Sequence, residues 1–362
     1  MDDDETVDVL NLPQLYQRPS ASTLRSVLDD LSLVPPSWSG ISAPARQKIK
    51  SEGVPSYLTK IISSPLTWIE DDAEKEAIWE TAAQRLSERS GRSGMGNISR
   101  VFSIPLKPES NLEDLAAPAL KTKSSDDSTI EEDALEITLY EPALSEDNLG
   151  LKTWAASYLL AKRLPLLKAT LPALTSDSAS EVLELGSGTG LVGLAAAAVF
   201  QTSVLLTDLP AIVPNLERNV QTNVASINAH GGSLQTAVLD WTEPEQLICN
   251  DARTNAKAHS YQLILAADPI YSSDHPALLV NTISYHLSRN TEARVVIELP
   301  LREGYASERQ DLRNRLIGLG LRVLEEGEEV GYDDWGAKSG KGGEEELAEV
   351  KCWWGVWGWT HA

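Results

Sequence analysis

The sequence predicts a doubly wound α/β sheet of seven mostly parallel strands, preceded by an N-terminal helical extension and a β-hairpin. From Leu149 onward, short apolar runs alternate with helical periodicity. Gly186-Ser187-Gly188-Thr189-Gly190 lies between one such run and a helix of small residues. The chain has 362 residues, 42% of them hydrophobic, enough for one large core with a smaller region beside it.

Residues 1–106 read as the extension. Leu24, Val27, Leu28 and Leu31 share one face of a helix over 20–34, which Pro35-Pro36 ends. A second helix over 71–89 has an acidic first turn, an Ala77, Ile78, Ala82, Leu86 stripe, Arg85 and Arg89 in its last turns, and Gly91 just beyond. Residues 101–106 and 135–140 read as two strands of a hairpin. Between them, residues 107–134 are rich in Ser, Asp, Glu and Pro and predict a flexible acidic loop.

Residues 135–362 read as the sheet domain. The expected strands are 182–185, 204–207, 236–240, 263–267, 295–299, 321–325 and 350–359. The expected helices are 152–167, 191–200, 211–224, 277–287 and 307–319. Residues 336–346, full of Gly, Ser, Lys and Glu, predict a loop between the last two strands.

A net charge of −22 repels a polyanion at long range, so direct action on naked nucleic acid is disfavoured. No apolar run reaches the length that spans a bilayer, and Met1-Asp2-Asp3-Asp4-Glu5 lacks a secretory pattern. Cys249 and Cys352 cannot make a disulfide framework, and five scattered histidines offer no metal spacing. A cytoplasmic, metal-free protein, monomeric and without membrane contact, is expected.

In an open parallel sheet, ligands bind beyond the carboxyl ends of the strands where the strand order reverses. Gly186, Gly188 and Gly190 end the first strand there, and the next helix offers free N–H groups to an electronegative ligand. Asp208 ends the next strand, where a carboxylate can accept both hydroxyls of a ribose. Gly188-x-Gly190-x-x-Gly193 is also a literal dinucleotide fingerprint. Three features favour a methyl donor over it: Glu184 two residues before the first glycine, the mid-chain position behind Gly150-Leu151-Lys152-Thr153-Trp154, and no convincing proton-exchanging His or Lys. Trp154 and Trp241 offer indole faces suited to an adenine and a sulfonium, although a tryptophan in either place is more often plain core.

Ala266-Ala267-Asp268-Pro269-Ile270-Tyr271 leaves the fourth strand at the same edge. Methyl transfer from a sulfonium is an in-line displacement, so an enzyme chiefly aligns the methyl with a lone pair. For a lysine acceptor, Asp268 can hold the ammonium, Tyr271 can wall a channel, and desolvation lowers the lysine pKa.

These motifs, with Asn148-Leu149-Gly150-Leu151-Lys152-Thr153-Trp154, Thr207-Asp208-Leu209-Pro210 and Asp240-Trp241, arrive in one order. From Ile137 onward the chain resembles the family-16 seven-strand protein methyltransferases, and is most similar to the fungal lysine methyltransferases of translation elongation factors. The resemblance implies a Rossmann-like methyltransferase sheet and S-adenosyl-L-methionine as cofactor. It implies donor contacts from Trp154, Glu184, Gly186, Ser187, Gly188, Asp208, Trp241 and Ala267, and an acceptor-lysine role for Asp268 and Tyr271. The segment from Ile69 to Leu106, with Arg85-Leu86-Ser87-Glu88-Arg89-Ser90-Gly91-Arg92, resembles the N-terminal extension of those enzymes. Asp268-Pro269-Ile270-Tyr271 is one residue from the signature of amide and base N-methyltransferases, so a glutamine or nucleobase acceptor stays open, as does a non-catalytic donor-binding protein.

The tryptophans in Trp353-Trp354-Gly355-Val356-Trp357-Gly358-Trp359 read as a covered final strand. Tyr332-Asp333-Asp334-Trp335 reads as a loop that could meet a substrate or simply face solvent, Gly91–Gly96 as a helix exit, and both cysteines as inert.

Overall fold

Leu185 to Gly190 turns where the main sheet reverses its strand order, and that fixes everything downstream. The computed structural model describes residues 7–33, 49–91, 94–108, 134–143, 149–168, 171, 182–249, 252–339 and 345–360. Most of the expected acidic loop, Asn148 and Pro35-Pro36 lie outside these residues. The chain divides into two compact units: residues 1–98 with 142–145 and 333–348, and residues 99–141, 146–332 and 349–362.

Among the described residues, the N-terminal part of the first unit is built on three α-helices. Helices α1 (Ala21–Asp30), α2 (Val54–Ser63) and α3 (Asp72–Glu88) bury one core that includes Leu24, Leu28, Leu58, Ile61, Ile78 and Ala82. Ser20 caps α1 by accepting the Thr23 N–H, and Asp71 caps α3 by accepting the Ala73 N–H. Arg89 donates, as expected, to the Arg85 carbonyl in the last turn of its own helix, and both arginines also reach across, Arg85 to the Leu28 carbonyl and Arg89 to the Leu31 carbonyl at the end of α1. Helix α2 is not among the expected elements, although Val54, Tyr57, Leu58 and Ile61 keep its helical spacing and all are buried.

The second unit holds the two-stranded sheet of β1 (Ile98–Pro105, from Ser99) and β2 (Ala134–Glu141), and most of the main sheet. In chain order follow α4 (Ala155–Leu167), β3 (Val182–Leu185), α5 (Leu191–Phe200), β4 (Ser203–Asp208), α6 (Val213–Ala229), β5 (Ser233–Val238), β6 (Gln246–Cys249), β7 (Ala252–Asn255) and β8 (Leu263–Ala267). Then come α7 (His275–His286), β9 (Arg294–Pro300), α8 (Ala306–Gly318), β10 (Leu321–Ser339) and β11 (Glu345–Trp359).

The main sheet runs β10-β11-β9-β8-β3-β4-β5-β6-β7. It has nine strands where seven were expected, and it is mixed. The pairs β3–β4, β3–β8, β4–β5 and β8–β9 are parallel, while β9–β11, β5–β6 and β6–β7 are antiparallel. The two additional strands form a short hairpin. Every residue of β7 is exposed, so it carries no apolar alternation to read. Within the expected loop over 336–346, residues 336–339 belong to β10, which runs on to Ser339, and residues 345–346 to β11, while residues 340–344 lie outside the described residues. Tyr332-Asp333-Asp334-Trp335 therefore sits in a strand.

The centre of the sheet follows from composition. All four residues of β3 and all ten of α5 are buried, as a parallel strand covered by helices requires. Two side chains extend this packing to β2. Asn219 and Asn223 of α6 accept the Tyr140 and Thr138 N–H groups at 2.8 and 2.9 Å, and donate to the same residues' carbonyls. Among the described residues, no helix is long and apolar enough to cross a membrane.

Candidate active site

With β3 flanked by β4 and β8, its carboxyl end is the switch point where ligands of such sheets bind. Gly186, Gly188 and Gly190 there have φ of 69°, 56° and 93°, backbone that side chains rarely adopt. The turn is also crowded. A β-carbon at Gly190 would stand 2.7 Å from Leu216 Cδ1, and one at Gly188 3.0 Å from the Gly150 carbonyl oxygen.

Neighbouring groups lock the turn in place. The Ser187 N–H donates to the Thr207 carbonyl at 2.9 Å, and Ser187 Oγ accepts the Thr207 N–H at 3.0 Å. Thr153 and Thr189 hydroxyls meet at 2.7 Å, and Asn219 Nδ2 donates to the Thr189 carbonyl at 3.0 Å. Asp208 accepts the Gly188 N–H at 2.7 Å through one oxygen and the Leu209 N–H at 2.7 Å through the other. Burial pushes its carboxyl up, against those two hydrogen bonds.

Glu184 faces inward. It is 2% exposed, and Oε2 accepts the Gly193 N–H at 3.0 Å. Burial pushes its carboxyl up to about 8; hydrogen bonds from Ser187 and Gly193 oppose the rise, and the Asp208 charge adds to it. Its partners are those of the turn, the Gly193 N–H and Ser187.

The aromatic walls lie close by. A β-carbon at Gly186 would be 3.4 Å from the Trp241 ring. Trp154 occupies the N-cap of α4, and its indole N–H donates to the Leu149 carbonyl at 3.1 Å. Lys152 Nζ stands 4.5 Å from that ring and Arg302 Cζ 5.2 Å. Ala267 ends β8, opposite Glu298 of β9.

Asp268 follows with φ 51°, and its N–H donates to the Glu298 carbonyl at 2.8 Å. Its side chain is 7% exposed and takes a forked ion pair from Arg302, with Nη2–Oδ2 at 2.9 Å and Nη1–Oδ1 at 3.3 Å. Tyr271 is 58% exposed and stands at the mouth. Partial desolvation, with the Asp208 and Asp268 charges, pushes its phenol up, so the ring is neutral at physiological pH. His275 packs edge-on against Tyr271 at 4.1 Å between centroids and against Trp241 at 5.8 Å, with Nδ1 3.1 Å from the Pro269 carbonyl.

The structure thus gathers the glycine turn, Asp208, Trp241, Ala267, Asp268 and Tyr271 along one edge, with Trp154 joined to Asp268 through Arg302. Arg302, Tyr305 and His275 escaped the sequence reading. The Tyr305 hydroxyl donates to the Tyr271 carbonyl at 3.2 Å, so the turn after β9 grips the Asp268 loop at two points. Only their place after a strand that ends at this edge could have marked them. Among the described residues, no group of three or more His, Cys, Asp or Glu could hold a metal ion.

The family described as lysine methyltransferase matches residues 131–310. Over 348 residues the chain is 30% identical to Protein-lysine N-methyltransferase rrg1 of Schizosaccharomyces pombe, covering 96% of this chain and 97% of that one. It is 36% identical over 269 residues to Protein-lysine N-methyltransferase EFM2 of Saccharomyces cerevisiae, covering 70% of this chain and 55% of that one. It is 33% identical over 105 residues to EEF1A lysine methyltransferase 3 of Xenopus tropicalis, covering 29% of this chain and 41% of that one. Similarity along nearly the whole length of rrg1, on a sheet whose switch point carries the glycine turn and its acidic neighbours, makes this chain a member of the lysine methyltransferase family.

Proposed function

We propose that the chain is an S-adenosylmethionine-dependent protein-lysine N-methyltransferase acting on a translation elongation factor, in the cytoplasm and as a monomer. The observation that carries this reading is that Asp208 and Asp268 end neighbouring parts of one sheet edge, on either side of the bare glycine turn. Relatives named protein-lysine N-methyltransferases, one of them named for EEF1A, support the acceptor class.

The residues fit the donor. Asp208 can accept the ribose hydroxyls, and the bare backbone at Gly186 and Gly188, both at positive φ, lets a ligand approach closely. Trp154 and Trp241 can supply ring faces, Ala267 a small floor, and Glu184 with Ser187 the brace beneath the turn. When bound, S-adenosylmethionine supplies an electrophilic methyl group on its sulfonium. Asp268 receives and orients the acceptor ammonium, and Tyr271 walls it from water. The bound ammonium gives up one proton to water at the mouth, a loss that desolvation between these groups and Trp154 eases against the pull of Asp268, and the neutral amine then attacks in line. The helical unit would contribute to recognition of the folded partner; deleting residues 1–98 should then remove activity and spare donor binding.

Labelled S-adenosylmethionine added to extract from cells lacking the enzyme tests the reading. Wild type should label an elongation factor on lysine, whereas Asp208→Ala and Asp268→Ala should not. Mass spectrometry of the product decides the acceptor, and methyl glutamine or a methylated base would replace the lysine assignment.

A further inference from the structure

Arg302 lies just past β9, and its backbone is pinned. Its carbonyl accepts the Tyr305 N–H at 3.2 Å and a hydrogen bond from Arg309 Nη1. Its side chain is freer, 39% exposed, yet the guanidinium forks onto Asp268 and stands 5.2 Å from the Trp154 ring. A carboxylate nearly excluded from solvent beside an indole face is also what an acceptor ammonium would seek. Arg302 therefore occupies the surroundings that the acceptor needs. Lys152, the other cation over Trp154, differs: it is 2% exposed and donates to the Thr153 carbonyl at 2.9 Å, as a fixed part of the wall.

We infer that Arg302 is the resident cation of the acceptor site, exchanged out to solvent when the acceptor lysine binds Asp268. The inference rests on the lysine-acceptor reading above. A buried carboxylate is costly without a counter-ion, and Arg302 supplies one while the site is empty. The Arg302 side chain is 39% exposed, so its guanidinium can pass to water as the incoming ammonium takes over its role beside Asp268. The exchange conserves charge, because one cation enters as one departs. A glutamine amide or a base brings no cation and would have to strip Asp268 of Arg302 without replacing it. Arg302 thereby becomes a specificity-determining residue for a charged acceptor.

The test uses full-length wild type, R302A and R302K with translation elongation factors isolated from cells lacking the enzyme. Calorimetry with S-adenosylhomocysteine checks that the donor half is intact. In R302A the resident competitor is gone, and KM for the acceptor falls roughly fivefold, the scale of a partly exposed ion pair. Guanidinium ion at millimolar concentration then raises that KM again, in competition with the acceptor and not with the donor. R302K, which keeps the charge and loses the fork, shows a smaller fall. An unchanged or raised KM in R302A overturns the inference, as does guanidinium that restores kcat without competing, since Arg302 would then be a fixed brace. If R302A loses S-adenosylhomocysteine binding, R302K decides, and a wild-type KM there overturns the inference. A wild-type enzyme that labels no lysine in these factors overturns instead the reading beneath it.

Discussion

Glu184 and Gly193 are bound to each other by chemistry and by space. The carboxylate accepts the Gly193 N–H at 3.0 Å, and a β-carbon on Gly193 would stand 2.5 Å from the same carboxylate oxygen. That glycine is the third of the dinucleotide-like pattern, and close packing of helix on strand accounts for it. Leu206 closes the other side, with Cγ 2.6 Å from the same hypothetical carbon.

Gly193→Ala should therefore cost about 3 kcal/mol, at the upper end for overpacking, because both neighbours are held. Urea unfolding measures it. A variant as stable as wild type would mean that the buried carboxylate has room to move.

The Glu184 carboxyl, raised from its ordinary 4.5 to about 8, makes stability depend on pH. A raised acid favours the folded state fully below the unfolded value, and that contribution is lost as pH climbs through about 8. Glu184→Gln keeps the acceptor for Gly193 and removes the titration. Melting temperatures from pH 5 to 9 should show Glu184→Gln gaining on wild type with rising pH, by on the order of 3 kcal/mol at the top. Parallel curves would place the titration elsewhere.

His286 works in the opposite direction. It is fully buried with Nε2 2.8 Å from the Pro244 carbonyl, and burial lowers it from 6.5 to about 4. A depressed base contributes stability that is present above the unfolded value and lost as pH falls through about 4. Acid unfolding between pH 6.5 and 4 should be less steep in His286→Gln, which should also lose about 1 kcal/mol at neutral pH with the imidazole contact. Chemical denaturation at a series of pH values reads both effects.

Asp268→Asn separates the two halves of the site. Asparagine tolerates the φ of 51° at this position, so the loop keeps its shape. Turnover should fall at least about a hundredfold while S-adenosylhomocysteine affinity stays within about twofold. Comparable losses in both would move Asp268 to the donor half.

How much of this was legible in the sequence depended on where each residue gets its environment. The apolar runs of β3, β8 and α5 carry their own signal, and their ends fall where the sequence puts them. Parallel strands share a carboxyl edge, so Asp208 and Asp268 could be brought together from strand order alone. The hairpin β6–β7 could not be read, because Ala252 to Asn255 are all exposed and register comes only from the neighbouring strand. Arg302 and Tyr305 were invisible for a similar reason: nothing in Arg302-Glu303-Gly304-Tyr305 announces a contact with residues thirty-four positions earlier. Asn219 and Asn223 read as ordinary polar positions of a helix until β2 is laid against them.

The strand order also sets a timetable. β11 lies between β9 and β10, although it is made after both. Until residues 345–359 leave the ribosome, β9 and β10 have no common neighbour, and the β9 edge that Trp353 to Gly358 will cover stays open. The acceptor loop hangs from that strand through the Glu298 carbonyl, so the strand that carries it is the one whose outer edge is covered last.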